Sequence, residues 1–403
     1  MHHPTARVAR RDMIKLAGVS AALGLSAGVQ APVLAQTSSP PPIHITDVKF
    51  LRLRFPGQVP RRRNAILWSG GGPPGMTQLE VYTDQGIVGR SILHGFPEII
   101  EKRLAPVIRG ENPFYIERIW DRMYRFWRKP VAKGSVIEAI GTVDIALWDI
   151  VGKALNKPVY QVLGAFTDRI RVYAAGGYYE EGKSISDLAR EMEEYVRQGF
   201  RAVKMKVGGE PFGVDVERVR AVREAIGPDV DLLIDANNKW NAYEAIRFGR
   251  AVEKYHLFWF EEPVEPDDFQ GCAEVRQALD IPIVAGENEF TRWGCRELLE
   301  ARSADILNLD TVLAGGITEY RKIAALASAY HVPVAPHGNP FMAVHLLTSL
   351  PNALIMETYP AIESKYNLAL PLFSVKDGYI QVPDKPGIGI DPDPEIVKKY
   401  RIS

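Results

Sequence analysis

Short apolar runs alternate with amphipathic stretches through the second half of this chain. The runs cover residues 172–175, 202–206, 232–235, 257–261, 283–287, 306–309, 332–335 and 354–357. Each is nearly continuous in apolar residues, the signature of a strand buried on both faces of a parallel sheet. Between them, residues 186–197, 215–226, 243–254 and 317–330 repeat apolar positions at helical spacing. Eight strand–helix units predict an α/β fold, a TIM-like (β/α)7-8 barrel. A doubly wound open sheet is the alternative. It calls for a glycine-rich dinucleotide loop after an early strand, and none is present.

The first half reads differently. Ile45-Thr46-Asp47-Val48-Lys49-Phe50 and Thr77-Gln78-Leu79-Glu80-Val81-Tyr82 alternate apolar and polar positions, and Asp84-Gln85-Gly86 makes a turn. These predict antiparallel strands of a small sheet. Helical patterning follows over residues 99–155. Residues 44–165 are therefore expected to form an α+β capping domain, with the barrel over 166–358. The turn-rich segment 359–403 is expected to return and pack on the cap. The Gly/Pro/Arg-rich stretch 56–75 is long for a compact domain, which marks it as a functional or mobile loop.

Arg10-Arg11 precedes a mildly apolar run from Leu16 to Val29, and Val33-Leu34-Ala35 offers a small-residue cleavage site. Residues 1–35 thus read as a twin-arginine export signal and 36–43 as a linker, which predicts a periplasmic protein with no membrane association after cleavage. Such export moves proteins that have already folded. The run is too short and too rich in Gly and Ala to span a membrane stably. Lys+Arg and Asp+Glu both number 49, so no basic surplus points to nucleic acid. Two cysteines, Cys272 and Cys295, make no disulfide framework.

The chemistry sits where the strands end. Asp235, Glu261 and Glu287 each close an apolar run and stand 26 residues apart. Like charges do not gather for stability, and an all-oxygen set suits a hard cation such as Mg²⁺. Singly, each acid could be a helix N-cap; together they point to a metal. The other strand ends carry Lys204 and Lys206, Asp310, His337 and Glu357. Lys204 and Lys206 are two apart and share a face. Their mutual repulsion, with a nearby cation, would favour a neutral Lys206 amine. Asp310 can fix the tautomer of His337. Glu357 would help an anionic substrate only if its surroundings disfavour ionisation or bond it strongly. Glu262 should point away from the mouth into a salt bridge.

This ordered set resembles the enolase superfamily and, within it, the mandelate racemase subgroup. The motifs that carry the likeness are Lys204-Met205-Lys206, Asp235-Ala236-Asn237, Glu261-Glu262-Pro263, Ala285-Gly286-Glu287, Asp310 before Gly315-Gly316, Pro336-His337, and Glu357. The resemblance implies that Asp235, Glu261 and Glu287 bind one Mg²⁺. It implies that Lys206 and His337, backed by Asp310, are the acid/base pair, and that Lys204 and Glu357 contact the substrate carboxylate.

The implied first step removes a proton α to a carboxylate and gives an enediolate, whose second negative charge needs fixed positive charge. Loss of a β-hydroxyl then makes a dehydratase; reprotonation makes a racemase or epimerase; cycloisomerisation starts from the same enediolate. The residues around His337 are similar to acid-sugar dehydratases. A non-catalytic periplasmic sugar-acid binder is the alternative of another class. The expected partner is a small-molecule acid sugar, and a homo-oligomer is expected. Tyr178, Tyr179, Arg61 and His94 are the candidates for substrate contact, with Trp68 and Phe341 as further lining. Arg61 is taken from Arg61-Arg62-Arg63 in the first long loop, although solvation accounts for most loop arginines.

Overall fold

The computed structural model describes residues 42–93, 95–127, 133–360, 369–370 and 373–402. The export signal expected at 1–35, most of the linker, and His94 lie outside these residues. The cap opens with β1 (Ile45–Arg54), the two-residue hairpin strands β2 (Arg62–Arg63) and β3 (Trp68–Ser69), then β4 (Gly75–Thr83) and β5 (Val88–Ile92). β1 and β4 pair antiparallel with Phe50 opposite Leu79. Helix α1 (Ile116–Arg125) packs on α2 (Ser135–Ala154), which lies against β4 and β5. Gly89 lets α2 lie directly on β5: a Cβ there would stand 2.2 Å from the Ala146 carbonyl oxygen.

The barrel follows as β6 (Arg169–Ala175), α3 (Ile185–Arg197), β7 (Ala202–Lys206), α4 (Phe212–Ile226), β8 (Asp231–Asp235), α5 (Ala242–Val252), β9 (Leu257–Glu261), α6 (Phe269–Ala278), β10 (Ile283–Ala285), α7 (Thr291–Glu300), β11 (Ile306–Asp310), α8 (Ile317–Ala329), β12 (Val334–His337), α9 (Pro340–Leu347) and β13 (Met356–Thr358). All eight strands run parallel in the order β12-β11-β10-β9-β8-β7-β6-β13. The seam between β12 and β13 is closed by a short bridge, Val334 to Ala353. Local sequence sets helix starts: Ser184–Asp187 and Asn241–Glu244 form capping boxes ahead of α3 and α5.

Period-2 alternation sorts each strand. Tyr173, Ala202, Leu233, Trp259, Val284, Ile306, Ala335 and Ile355 form an apolar cluster of their own. Their neighbours Val172, Val203, Leu232, Phe260, Leu307 and Val334 pack in the larger core shared with the surrounding helices. Lys204, Lys206, Asp235, Glu261, Asn308, Asp310, His337 and Glu357 keep the parity of the first set. The strands thus fill the barrel with apolar side chains and crown it with ionisable ones.

The C-terminal segment ties barrel to cap. β14 (Tyr379–Gln381) pairs antiparallel with β6, the Ile388 N–H donates to Asp149 Oδ1 on α2 at 2.7 Å, and after α10 (Pro394–Tyr400) the strand β15 (Arg401–Ile402) adds to the edge of β1. Asp144, also on α2, is fully buried and accepts from the Thr318 N–H at the start of α8 at 3.0 Å. Burial pushes its carboxyl up to about 7. Among the described residues no helix is long and apolar enough to cross a membrane.

Candidate active site

One connected network crosses the mouth of the barrel. Lys204 Nζ donates to both oxygens of Glu261, at 2.7 and 2.9 Å, lies 2.8 Å from Glu357 Oε1 and 3.8 Å from Asp235 Oδ2. Lys206 Nζ is paired with Asp235. Asn308 Nδ2 bridges Glu261 Oε1 at 3.0 Å and Glu287 Oε2 at 3.1 Å. His337 Nδ1 bonds Asp310 Oδ2 at 3.0 Å, which leaves Nε2 facing the mouth, 3.7 Å from Glu287 Oε1. Asp310 is itself fixed, because its Oδ1 accepts from the Val312 and Leu313 N–H groups. The structure therefore brings together Lys204, Lys206, Asp235, Glu261, Glu287, Asp310, His337 and Glu357. Glu287 lies two residues beyond the end of β10 rather than within it.

The protein groups alone leave this site crowded with negative charge. Burial pushes the Glu261 carboxyl well above its usual range; Lys204 opposes this, and Asp235, Glu287 and Glu357 add to it. Burial pulls Lys204 and Lys206 down, but the surrounding carboxylates outweigh it and hold both as ammonium ions. The neutral Lys206 amine expected beside Lys204 and a nearby cation therefore depends on that cation, since among the protein groups alone the Asp235 contact dominates. His337 follows the same pattern: burial lowers it, and Glu287, Asp310 and Glu357 raise it well above its ordinary value.

As they stand, no three His, Cys, Asp or Glu among the described residues are drawn in tightly enough to hold a metal ion. Each carboxylate is turned onto a protein donor instead. The donor chemistry nevertheless fits a hard cation: Asp235 and Glu287 both repel Glu261, only Glu261 and Glu287 share an amide, and oxygen ligands suit such an ion.

Several expectations need correction. Glu357 was expected in surroundings that disfavour ionisation. Burial acts that way, but Lys204 and His337 override it and hold the carboxyl at about 2. It also accepts from the Gly338 N–H at 2.8 Å and the Tyr359 hydroxyl at 2.6 Å. Glu262 makes no salt bridge among the described residues. It accepts from Asn238 and Asn288 side-chain amides at 2.8 and 2.6 Å. Tyr179 does not face the mouth as a free hydroxyl: it donates to Asp215 Oδ1 at 2.6 Å and accepts from the Gly209 N–H. Arg61 is exposed, with its guanidinium over the half-exposed Trp68 ring. Phe341 is core, stacked on Phe373.

Tyr178 does reach the site, its ring centroid 5.2 Å from Lys206 Nζ. Its other cation is Arg62, at 4.0 Å. Sequence reasoning missed Asn308, Tyr359 and Arg62. Asn308 had a signal, being a polar residue two before Asp310 in a buried strand. Tyr359 follows Glu357 by two residues, just past the end of β13, and so keeps its parity. Nothing in the sequence separates Arg62 from its two arginine neighbours.

Comparison with known proteins agrees with this geometry. Residues 187–396 match the family described as enolase C-terminal domain-like, and residues 75–164 match the mandelate racemase/muconate lactonizing enzyme N-terminal domain. The chain belongs to the mandelate racemase/muconate lactonizing enzyme family of the enolase superfamily. Among its relatives in that family, an arabinonate dehydratase of Saccharolobus solfataricus is 34% identical over 372 residues, spanning 89% of this chain and 99% of that protein. A 3,6-anhydro-alpha-L-galactonate cycloisomerase of Streptomyces coelicolor is 36% identical, spanning 72% of this chain and 80% of its own. Among solved family structures, a racemase from Streptomyces coelicolor with bound magnesium superposes with a TM-score of 0.80 at 30% identity, covering 89% of this chain and all of that one.

Proposed function

We propose that this enzyme dehydrates an acid sugar to a 2-keto-3-deoxy acid by abstracting the proton α to its carboxylate. One observation carries the reading: two proton-carrying groups, Lys206 on β7 and His337 on β12, stand at the same mouth with the carboxylate set of β8, β9 and β10 between them in strand order. Asp235, Glu261 and Glu287 would hold one Mg²⁺, supplying positive charge to the substrate carboxylate as it takes on a second negative charge.

Lys206 Nζ removes the α-proton. Were Asp235 to serve as a metal ligand, burial and the Lys204 charge would remain to lower the proton affinity of Nζ. Lys204 Nζ faces the substrate carboxylate and is aimed by Glu357, which acts as an anion that positions the lysine rather than as a donor. His337, its Nδ1 tied to Asp310, gives the Nε2 proton to the β-hydroxyl. The C–O bond breaks, water leaves, and the enol tautomerises to the keto acid. The named activity of the dehydratase relative supports this outcome, and that of the cycloisomerase relative favours a second reading, in which an internal hydroxyl or ring oxygen takes part instead. Export to the periplasm by the Arg10-Arg11 signal and assembly as a homo-oligomer complete the proposal.

Proton NMR in D₂O with an acid-sugar library tests it. Lys206→Ala should abolish α-proton exchange on one face, and His337→Asn should block dehydration. Full dehydratase activity in His337→Asn would remove His337 as the leaving-group acid. Absence of exchange with every acid in the wild type would leave a binder.

A further inference from the structure

The three consecutive arginines of the capping loop meet different fates. Arg61 rests over Trp68 at 4.8 Å in solvent. Arg63 is fully engaged: its Nη2 pairs with Glu210 Oε1 at 2.7 Å, its guanidinium lies 4.5 Å from the Tyr179 ring centroid, and its backbone N–H and C=O bond Tyr179 in both directions. This two-way bridge staples the hairpin of β2 and β3 to the loop after β6. Arg62 is thereby held against Tyr178, its guanidinium 4.0 Å from the ring centroid, and Lys206 Nζ lies 5.2 Å from the same centroid.

Apart from the Tyr178 ring, the Arg62 side chain has no hydrogen-bond or ionic partner among the described residues. Its Nε is buried without an acceptor, and no carboxylate pairs with the guanidinium. This is unusual at a mouth so rich in carboxylates. A guanidinium carries five N–H donors and no acceptor, and its planar fork matches a carboxylate in two parallel bonds. Leaving a buried donor unmade costs about 1–3 kcal/mol, and a carboxylate bonds a guanidinium roughly twice as strongly as a neutral hydroxyl does. Tyr178 supports the plane of the fork but supplies no oxygen-acceptor bond to it.

We propose that Arg62 is a substrate-binding residue that receives the distal carboxylate of a sugar diacid, whose other carboxylate lies at Lys204 and the Asp235–Glu261–Glu287 set. The inference rests on the function proposed above for its proximal end. It makes an aldaric acid, rather than an aldonic acid of the same length, the preferred substrate class.

The test uses the Mg²⁺-loaded full-length enzyme, with matched aldaric and aldonic acids of five and six carbons. Calorimetric binding and α-proton exchange in D₂O are both measured for wild type, Arg62→Ala and Arg62→Lys. The wild type should bind and process at least one diacid about 10- to 100-fold better than its matched monoacid, the range for a hydrogen-bonded charge pair. Arg62→Ala should lose that preference through KM and Kd, with a far larger loss on the diacid than on the monoacid, and Arg62→Lys should keep part of it. Equal losses on both acids would mean that Arg62 only holds the loop, and would overturn the proposal. So would a wild type that shows no diacid preference while exchanging monoacids. Retained diacid-selective binding without any exchange would instead sustain Arg62 and overturn the reaction.

Discussion

Replacing Asp310 with Asn tests how the proton donor is set up. The Asp310 Oδ1 accepts two backbone N–H bonds, from Val312 at 2.8 Å and Leu313 at 3.0 Å, while Oδ2 accepts from His337 Nδ1 at 3.0 Å. An asparagine has one oxygen. Two backbone donors fix it at the Oδ1 position, so its NH₂ must face Nδ1. The imidazole then adopts the tautomer with Nδ1 as acceptor, and the imidazolium loses its carboxylate neighbour. A hydrogen bond to a charged group contributes about 1.5–3 kcal/mol, or roughly 10- to 150-fold. The wrong tautomer adds to this, so dehydration should fall by about 10²- to 10⁴-fold, the upper end being the scale of the analogous change in a serine-protease triad. Lys206 lies on the other side of the set, so α-proton exchange from its face should persist. Both rates come from one NMR time course in D₂O. Dehydration within about 3-fold of wild type would refute the orienting role, and equal loss of both rates would show that Asp310 acts on the whole mouth.

Two further outcomes follow from buried polar contacts. Asn308→Leu removes the amide shared by Glu261 and Glu287, and Mg²⁺ affinity should fall by about 10- to 100-fold as for other outer-shell partners, with near-ultraviolet circular dichroism unchanged; an unaltered Mg²⁺ titration contradicts the bridging role. Asp144 has its carboxyl raised by burial from 3.8 to about 7, so the native state binds the proton more tightly than the unfolded chain. Its contribution is fully present below about pH 4 and is lost as pH rises through about 7, up to roughly 4 kcal/mol. Asp144→Asn should therefore gain stability relative to wild type between pH 5 and 8 in urea melts, and a pH-independent difference would exclude Asp144 as the source.

The barrel and its crown were legible because they rest on local and periodic signals. Buried parallel strands force continuous apolar runs, and a period of two places Lys204 with Lys206 and Asp235 with Leu233 on one face. What failed depended on partners supplied from elsewhere in the fold. Glu357 was expected to resist ionisation, but its charge state is set by Lys204, two barrel strands away through β6. Glu262 does turn off the strand parity, at φ 45°, but what awaits it is a pair of asparagines from two other loops. The difference between Arg61, Arg62 and Arg63 arises only from how a two-residue hairpin docks on the loop after β6, which no periodicity encodes.

The central claim is that the strand-end carboxylates and the Lys206–His337 pair together remove a proton α to a carboxylate. Metal-stripped enzyme, with and without added Mg²⁺, should be followed by proton NMR in D₂O with acid-sugar substrates. The account predicts no α-proton exchange after chelation, its recovery on adding Mg²⁺, and its loss from the lysine face in Lys206→Ala. Full exchange in the chelated enzyme, or unchanged exchange in Lys206→Ala, would contradict it.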